Sequence, residues 1–496
     1  MCSTGNCKEN VIATGRFVKE YWKGRGAMAA QMINKAENPL GVKPVGTLLA
    51  EFAIPSIIAM LVSALYNIVD QFFIGHYVGM LGNAATNVAF PLTISCTAIS
   101  LMCGIGGAAN FNLNMGRGDR EKAAKYAGNA ISMCFAIGMA LCIITKIFLR
   151  PMMEAFGATD QTLAYSLTYT GITSFGFPFL IFTTGGSNLV RADGSPRFSM
   201  LCTLIGAIVN TVLDAVFMKV FYLGIEGAAW ATVIGQVVSA VLVALYLTRF
   251  KTVQLGREYL KPAAACWGNI AKLGMSPCIN QLAMMAVQIV LNNVLTFYGS
   301  TSKYGSDIPL ACAGIISKVG MIFFSIVIGI SQGMQPIVSF NYGAKQYQRV
   351  REVVWKSIAC ATVISIIAFL CFQIFPRQII GLFGQESEEY FIFAERYFKI
   401  YLFFTFANQF QPIVANMYTS IGKAAAGALM SLTRQILFLM PLLIILPKFF
   451  GLDGAMYAAP VADFVAFLVA GAMLLKESHQ LKVLQAGIEA EEHGAA

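Results

Sequence analysis

The sequence predicts an all-α polytopic membrane protein, with twelve transmembrane helices in two related six-helix lobes. Composition is the first observation behind this prediction: 57% of the 496 residues are hydrophobic and 12% are charged. A soluble globular chain carries about 25% charged residues, so this chain lacks the charge for a surface that faces water on all sides. Long apolar runs and an internal repeat are the second and third observations.

The apolar residues fall in runs that are nearly free of charge. A run of about 20 residues spans a bilayer as a helix, because backbone groups in lipid must hydrogen-bond within their own segment. Twelve spans are predicted, at residues 47–76, 86–113, 123–149, 162–190, 197–219, 227–248, 268–298, 308–337, 350–376, 391–419, 426–447 and 454–475. They define a first lobe at 47–248, a cytoplasmic linker at 249–267 and a second lobe at 268–475.

Basic residues between the spans predict the orientation. With the N-terminal tail (1–46) inside the cell, 25 Lys and Arg residues lie in cytoplasmic segments and six lie in outer segments. Cytoplasmic loops of membrane proteins carry such an excess. We therefore expect a multi-pass protein of the inner (plasma) membrane, with this tail and the C-terminal tail (476–496) in the cytoplasm. Because the net charge of +10 is spread over short loops, nucleic acid is not an expected partner.

An internal repeat relates the two lobes. The Asn-x-Gly motif at 114–116 recurs at 341–343, and the Gly-x-x-Gly-Ala motif at 224–228 recurs at 451–455, in both cases 227 residues later. Six spans per copy is an even number, so both copies enter the membrane from the same side. The lobes are therefore predicted to be related by a pseudo-two-fold axis along the membrane normal. Two lobes that flank a cleft suit alternating access.

Two acidic residues lie inside predicted spans. Asp70 is late in the first span and Asp214 is late in the fifth, where Asn210 shares its helix face. Thr232 lies in the sixth span. From the rise per residue, Asp70, Asp214 and Thr232 all lie roughly 8–9 Å below the predicted outer boundary. Because an acid within a membrane span is costly, these residues are predicted to form a functional site.

The four side chains together suit a small cation. Two carboxylates, an amide and a hydroxyl would make an oxygen-rich site for Na⁺. The same acid pair could instead hold a proton, since desolvation and a neighbouring like charge both favour the protonated form. No organic cofactor and no metal other than Na⁺ is expected. The alternative is that these groups only hydrogen-bond between helices, without a role in transport.

Other polar residues within the spans are weaker candidates. Lys318 and Arg434 could line the cleft, or they could pair locally or extend toward the interface. For Asp463, in the twelfth span, a structural role is predicted. The polar residues of the seventh span could contact substrate or hydrogen-bond between helices. The full set of candidates for the cleft or for substrate contact is Asn67, Gln281, Gln288, Asn292, Lys318 and Arg434.

The chain resembles a bacterial multidrug and toxic compound extrusion (MATE) transporter of the DinF-like prokaryotic branch, over residues 46–476. The resemblance rests on Pro55 followed fifteen residues later by Asp70, and on four later motifs in the matching spans. These motifs are Arg-Ala-Asp-Gly-Ser-Pro at 191–196, Asn-x3-Asp at 210–214, Gln-Gly-x-Gln-Pro at 332–336 and Arg-Gln at 434–435. Each is a weak pattern alone, and together they are specific.

The resemblance implies an antiporter that exchanges H⁺ or Na⁺ for small, cationic or amphiphilic organic compounds, working as a monomer in lipid. In the prokaryotic branch, an acid of span one, an Asn and an Asp of span five and a Thr of span six form a cation site. These positions fall on Asp70, Asn210, Asp214 and Thr232, and the bending point of span one falls on Pro55. Another branch carries acids in spans seven and ten, which this sequence lacks at depth, so coupling in the first lobe is favoured.

Three other functions stay open at this point. A flippase for a lipid-linked saccharide would use Lys318 and Arg434 to meet an anionic pyrophosphate. A membrane-embedded enzyme or receptor is disfavoured, because the chain is duplicated and shows no nucleophile beside a base, so a non-enzyme is expected. A passive channel would conduct without needing an ion gradient.

Overall fold

The computed structural model describes residues 38–305, 307–382 and 388–494, and the regular secondary structure within these ranges is helical throughout. Of the predicted N-terminal tail, residues 1–37 lie outside the described residues. The described chain opens with a short helix, α1 (Pro39–Val42), which Asn38 caps through a 3.0 Å bond from the Leu40 amide. The carbonyl of Leu40 accepts a bond from Asn341, so this segment is anchored on the second lobe.

The first lobe consists of eight helices within the described residues. They are α2 (Val45–Tyr77), α3 (Met80–Gly116), α4 (Arg120–Ile147), α5 (Leu149–Ala155), α6 (Asp160–Thr173), α7 (Phe177–Ala192), α8 (Pro196–Ala215) and α9 (Gly224–Leu247). The fourth predicted span is divided into α6 and α7 by a 3-10 turn at Ser174–Gly176. Pro178 starts α7, where a missing amide hydrogen is tolerated. Helix α8 ends in a π turn at Val216–Val220.

The second lobe repeats this plan. Its described helices are α10 (Ala264–Ser300), α11 (Asp307–Gly343), α12 (Tyr347–Ile374), α13 (Pro376–Gly381), α14 (Glu388–Tyr401), α15 (Phe410–Ser420), α16 (Ala424–Leu432), α17 (Met440–Phe450) and α18 (Leu452–Gly494). A 3-10 segment at Phe403–Ala407 divides the tenth span, and a π turn at Thr433–Leu439 joins α16 to α17.

The predicted fold class is confirmed. Ten helical segments of the described chain are long and apolar enough to cross a membrane. The remaining two predicted spans, the fourth and the tenth, are the ones divided by 3-10 turns, so neither contains one helix of sufficient length. All twelve predicted spans therefore correspond to helical segments in two lobes.

The end of the twelfth span differs from the prediction. Its apolar run stops at 475, but α18 continues to Gly494 through the segment predicted as the C-terminal tail. Helix-forming Lys, Glu, Gln, Leu and Ala dominate this extension. Leu481 is buried, and Glu477 is held at 2.7 Å by Lys423, so the extension packs against the second lobe. Hydropathy located the end of the apolar run, which here is not the end of the helix.

The linker between the lobes is fastened to the first lobe. Asp193 accepts bonds from the backbone amides of Lys251 (2.7 Å) and Thr252 (3.0 Å). Asn129 accepts a 2.8 Å bond from the amide of Ala263 and donates to the carbonyl of Tyr259. The linker thus moves with the first lobe, and the chain becomes part of the second lobe at α10.

Glycines allow the two lobes to approach backbone to backbone. A Cβ added to Gly116 would strike the carbonyl of Phe340, and one added to Gly343 would strike the carbonyl of Leu113. Both pairs are reciprocal across the 227-residue repeat, which is the arrangement that a two-fold axis between α3 and α11 produces. The duplication read from sequence is therefore visible as a symmetric contact.

The lobes are closed against each other on one side. Glycine contacts between α3 and α10 occur at Gly106 and Gly274, in the half of each helix predicted to face the cytoplasm. The hydrogen bonds that cross between the lobes in the described chain lie on that same side, such as Asn110 to the carbonyl of Asn269. The structure is thus the conformation in which the predicted cytoplasmic side is sealed.

Alanine at Gly274 is expected to open this seal. A Cβ there would overlap the backbone of Met102, which cannot turn away as a side chain can, and overpacking of this kind costs about 1–3 kcal/mol. Gly268 lies on the same helix with nothing within 4 Å of the added Cβ. Thermal unfolding in detergent should show a lower midpoint for Gly274→Ala and an equal or slightly higher one for Gly268→Ala, because alanine is the better helix former. Equal midpoints would contradict the close approach.

Candidate functional site: an acid pair and a cavity in the first lobe

The structure brings together the carboxyl groups of Asp70 and Asp214, from α2 and α8. They lie close enough to share a hydrogen bond when one of them is protonated. Asp214 is completely buried. Both of its carboxyl oxygens, and Oδ1 of Asp70, have no donor among the described residues. Unpaired carboxylates in such a place are strongly unfavourable, so this site calls for a proton or a cation.

Asn210 and Thr232 complete the predicted set. Asn210 is one helical turn before Asp214 on α8, and its Nδ2 donates a 3.4 Å bond to the Thr232 hydroxyl on α9. The Oδ1 of Asn210 has no partner among the described residues. The oxygens of Asp70, Asn210, Asp214 and Thr232 are therefore available in one region, and hard oxygen donors of this type suit Na⁺ or H⁺.

Two tyrosines beside the acids were not predicted. Tyr66 and Tyr169 lie near enough to Asp70 and Asp214 to feel their charge, and the hydroxyl of Tyr169 lies beside Thr232. Tyr66 is four residues before Asp70, so helical spacing in α2 could have suggested it. Tyr169 comes from α6, and its sequence neighbours carry no comparable signal.

Pro55 interrupts α2 between the acid pair and the sealed side. It is buried within the helix, fifteen residues before Asp70. Proline lacks an amide hydrogen, so α2 loses one backbone bond here and can bend more easily. Ser56 next to it turns its hydroxyl back to the carbonyl of Phe52 at 2.8 Å. The outer half of α2, which carries Asp70, thus begins at a weakened point.

A cavity of about 140 Å³ extends through the first lobe from this site. Tyr66, Asn210 and Thr232 line one end, whereas Arg191 and Gln332 line the other. Small and hydroxylic side chains line the part between them: Ser63, Thr183, Thr184, Ser187, Ser199, Thr203, Gly206, Ala207, Gly235 and Ser239. Apolar side chains such as Met60, Leu101 and Leu180 complete the lining, which does not include Asp70 or Asp214. The end lined by Tyr66 and Asn210 lies one helical turn from the acid pair, and the other end is basic.

A family model matches each lobe separately. The MatE model matches residues 55–216 and 281–445, which together are more than half of the chain. The chain belongs to the MatE family. It is a multi-pass membrane transporter, and the predicted resemblance is confirmed.

Curated relatives and solved structures of MatE proteins match over most of their length. "Multidrug export protein MepA" of Staphylococcus haemolyticus (strain JCSC1435) is 23% identical over 438 residues, which is 88% of this chain and 95% of the relative. MepA of Staphylococcus aureus (strain MSSA476) is 23% identical over 86% of this chain and 93% of the relative.

Among solved structures, an outward-facing multidrug resistance MATE family transporter of the MOP superfamily has a TM-score of 0.82 at 21% identity, covering 89% of this chain and 99% of that one. A MATE crystal structure in the bent conformation has a TM-score of 0.82 at 20% identity, covering 92% and 99%. At these identities the likeness shows the fold.

The basic candidates of this MatE protein fall in different surroundings. Arg434 Nε lies 2.5 Å from a carboxyl oxygen of Asp463, and Asn408 donates to the other oxygen at 3.2 Å. Of the two alternatives for Arg434, local pairing is the one observed, and Asp463 forms a structural ion pair. Lys318 is exposed on α11 and has no acidic partner in the described ranges.

The amide candidates lie outside the first-lobe cavity. Gln288 accepts a 3.4 Å bond from Ser317, which links α10 to α11, and donates at 2.9 Å to Asn292 within α10. Gln281 is half-buried on α10. Asn67 is exposed and bonds back to the carbonyl of Ser63 in its own helix. Interhelical bonding, the alternative to substrate contact, is what the geometry shows for Gln288, whereas the side chain of Asn292 bonds within its own helix.

Proposed function

We propose that this MatE transporter exports small cationic or amphiphilic organic compounds from the cell in exchange for H⁺ or Na⁺. The observation that carries the proposal is the acid pair of Asp70 and Asp214. Its buried oxygens lack donors among the described residues, and the pair lies beside the cavity end that Asn210 and Thr232 line. The names of the MepA relatives, which are multidrug export proteins, support the substrate class. The plasma membrane is the proposed location, with both termini in the cytoplasm.

The acid pair gives the ion a way to drive the transport cycle. In the state sealed on the cytoplasmic side, Asp70 and Asp214 take up H⁺ or Na⁺ from outside. Neutralising the pair removes the repulsion between two carboxylates and lets α2, α8 and α9 pack more closely around it. Bending at Pro55 then reshapes the cavity and the substrate leaves.

Ion release to the cytoplasm completes the cycle. With the pair ionised again, a cationic substrate is attracted to the same lobe, so ion and substrate compete. The ion must bind the two states with different affinity, because a ligand with equal affinity shifts no equilibrium. Asn210 and Thr232 supply the neutral oxygens that a Na⁺ ion would need in addition to the carboxylates.

The flippase alternative receives no support from the geometry. It required Arg434 to meet an anionic pyrophosphate, but this guanidinium is already paired with Asp463 and is 12% exposed. Lys318 alone would be a weak ligand for two phosphates.

Transport in proteoliposomes, with Na⁺ and pH gradients imposed separately, tests the proposal. We expect one of the two gradients to drive a cationic dye such as ethidium against its concentration gradient, and collapse of that gradient by an ionophore to stop it. Liposomes without protein are the control. Equal dye flux with and without any ion gradient would contradict antiport and favour a passive channel.

A further inference from the structure

Arg191 is a buried cation without a carboxylate partner. It lies near the end of α7, it is 5% exposed, and in the described chain no acid is within ion-pair distance of it. Its bonds go to neutral acceptors: Gln332 Oε1 at 2.6 Å, Ser56 Oγ at 3.2 Å and Asn188 Oδ1 at 3.4 Å. Asp193, two residues later, is occupied by the linker. A buried charge of this kind is expensive unless an anion compensates it.

The free donors of Arg191 belong to the cavity wall. Its Nε has no partner among the described residues, and the same is true of the hydroxyl of Ser187. Both residues line the first-lobe cavity and are more than nine-tenths buried. A guanidinium presents its N–H groups in a planar fork that matches a carboxylate, and a hydroxyl beside it can donate a further bond.

The two ends of the cavity therefore differ in charge: Arg191 lines one end, and the other end, lined by Tyr66 and Asn210, lies one helical turn from the acid pair. Ser56, which contacts Arg191, and Asp70 are fourteen residues apart on α2, a separation of about 20 Å along the helix. A carboxylate would meet a favourable partner at the Arg191 end, which a purely cationic molecule could not use.

We propose that Arg191, together with Ser187, is a carboxylate-binding subsite of the first-lobe cavity, which lets the protein accept zwitterionic organic compounds as well as cations. This assignment rests on the proposed export function. Gln332 belongs to the second lobe, and its carbonyl oxygen occupies Arg191 in the sealed state. A bound carboxylate would compete with Gln332 and so weaken one contact of the seal.

A matched pair of dyes tests the subsite. Rhodamine 110 carries a free carboxylate, and rhodamine 123 is its methyl ester, so the two differ in that group alone. Binding of each dye to purified full-length protein is measured by fluorescence anisotropy, and gradient-driven uptake is measured in proteoliposomes. The variants are R191Q, R191K and Q332A; the last removes the contact to the second lobe without removing charge.

We expect R191Q to weaken rhodamine 110 binding about tenfold or more, the usual scale for losing a charge-assisted hydrogen bond, and to leave rhodamine 123 within about twofold. R191K should fall between, and Q332A, which removes the competing oxygen, should strengthen rhodamine 110 binding and leave rhodamine 123 binding nearly unchanged. In the wild type, benzoate should displace rhodamine 110 but not rhodamine 123. This competition uses the wild-type protein alone, so its result does not depend on whether a variant folds.

The following outcomes overturn the assignment. If R191Q affects both dyes alike, or benzoate displaces neither, Arg191 acts only in holding the lobes together. If the wild type transports rhodamine 123 with a gradient but the Arg191 variants keep the wild-type preference between the dyes, the subsite fails while export stands. If it transports neither dye under any gradient, the export function fails and the subsite fails with it.

Discussion

Asparagine at Asp70 or Asp214 is expected to abolish ion-driven export, with transport falling to the level of empty liposomes. The asparagine amide has nearly the same shape but cannot take up a proton or neutralise a cation. The substitution also removes one of the two carboxylates whose mutual repulsion favours ion binding. The two conformations then no longer differ in their affinity for the ion. Resistance to a cationic drug in cells and gradient-driven dye uptake in proteoliposomes both measure this loss.

The control for these variants is Asp453→Asn. This carboxyl lies 2.6 Å from Arg396, with 37% of its side chain exposed, and exposed ion pairs contribute little. All three variants should reach the membrane in equal amounts, as seen by immunoblot of membrane fractions. Full transport by Asp70→Asn would refute a coupling role for the acid pair and leave interhelical hydrogen bonding as its function.

Breaking the Arg434–Asp463 pair is expected to give the largest loss of stability. Replacing Arg434 with Met leaves Asp463 buried, with its charge uncompensated, a change that typically costs about 3–5 kcal/mol. The double variant Arg434→Met with Asp463→Leu should recover most of that loss, because two apolar side chains need no compensation. The midpoint of thermal unfolding in detergent is the measurement.

The Arg396–Asp453 pair supplies a matched control of the same residue types. It joins α14 of the tenth span to the start of α18, at 2.6 Å, but both of its side chains are exposed. Arg396→Met should therefore change stability by about 0–1 kcal/mol. Equal losses for Arg434→Met and Arg396→Met would show that burial does not decide the strength of the Arg434 pair.

The sequence by itself determined the fold class and the four cation-site candidates. The lengths of the apolar runs match the thickness of the bilayer's hydrocarbon core, and the repeat of 114–116 at 341–343 indicates the duplication. Both features can therefore be inferred without any tertiary structure. Asp70 and Asp214 were found because a carboxyl in an apolar run has no local explanation. Both acids lie late in spans that run outward, which gave them equal depths, and the structure places the two carboxyls together.

Only the tertiary structure decided which polar groups are paired. Arg434 and Asp463 are 29 residues apart on different spans, and no pattern in the sequence distinguishes that ion pair from two groups that line a cleft. Tyr169 reaches the acid pair from the fourth span for the same reason. Arg191 appeared in the sequence as part of a motif at the end of a span, without a role of its own. Its burial without an anion depends on how α2, α7 and α11 pack, because contacts between distant segments are set by the packing of helices and not by the residues beside them.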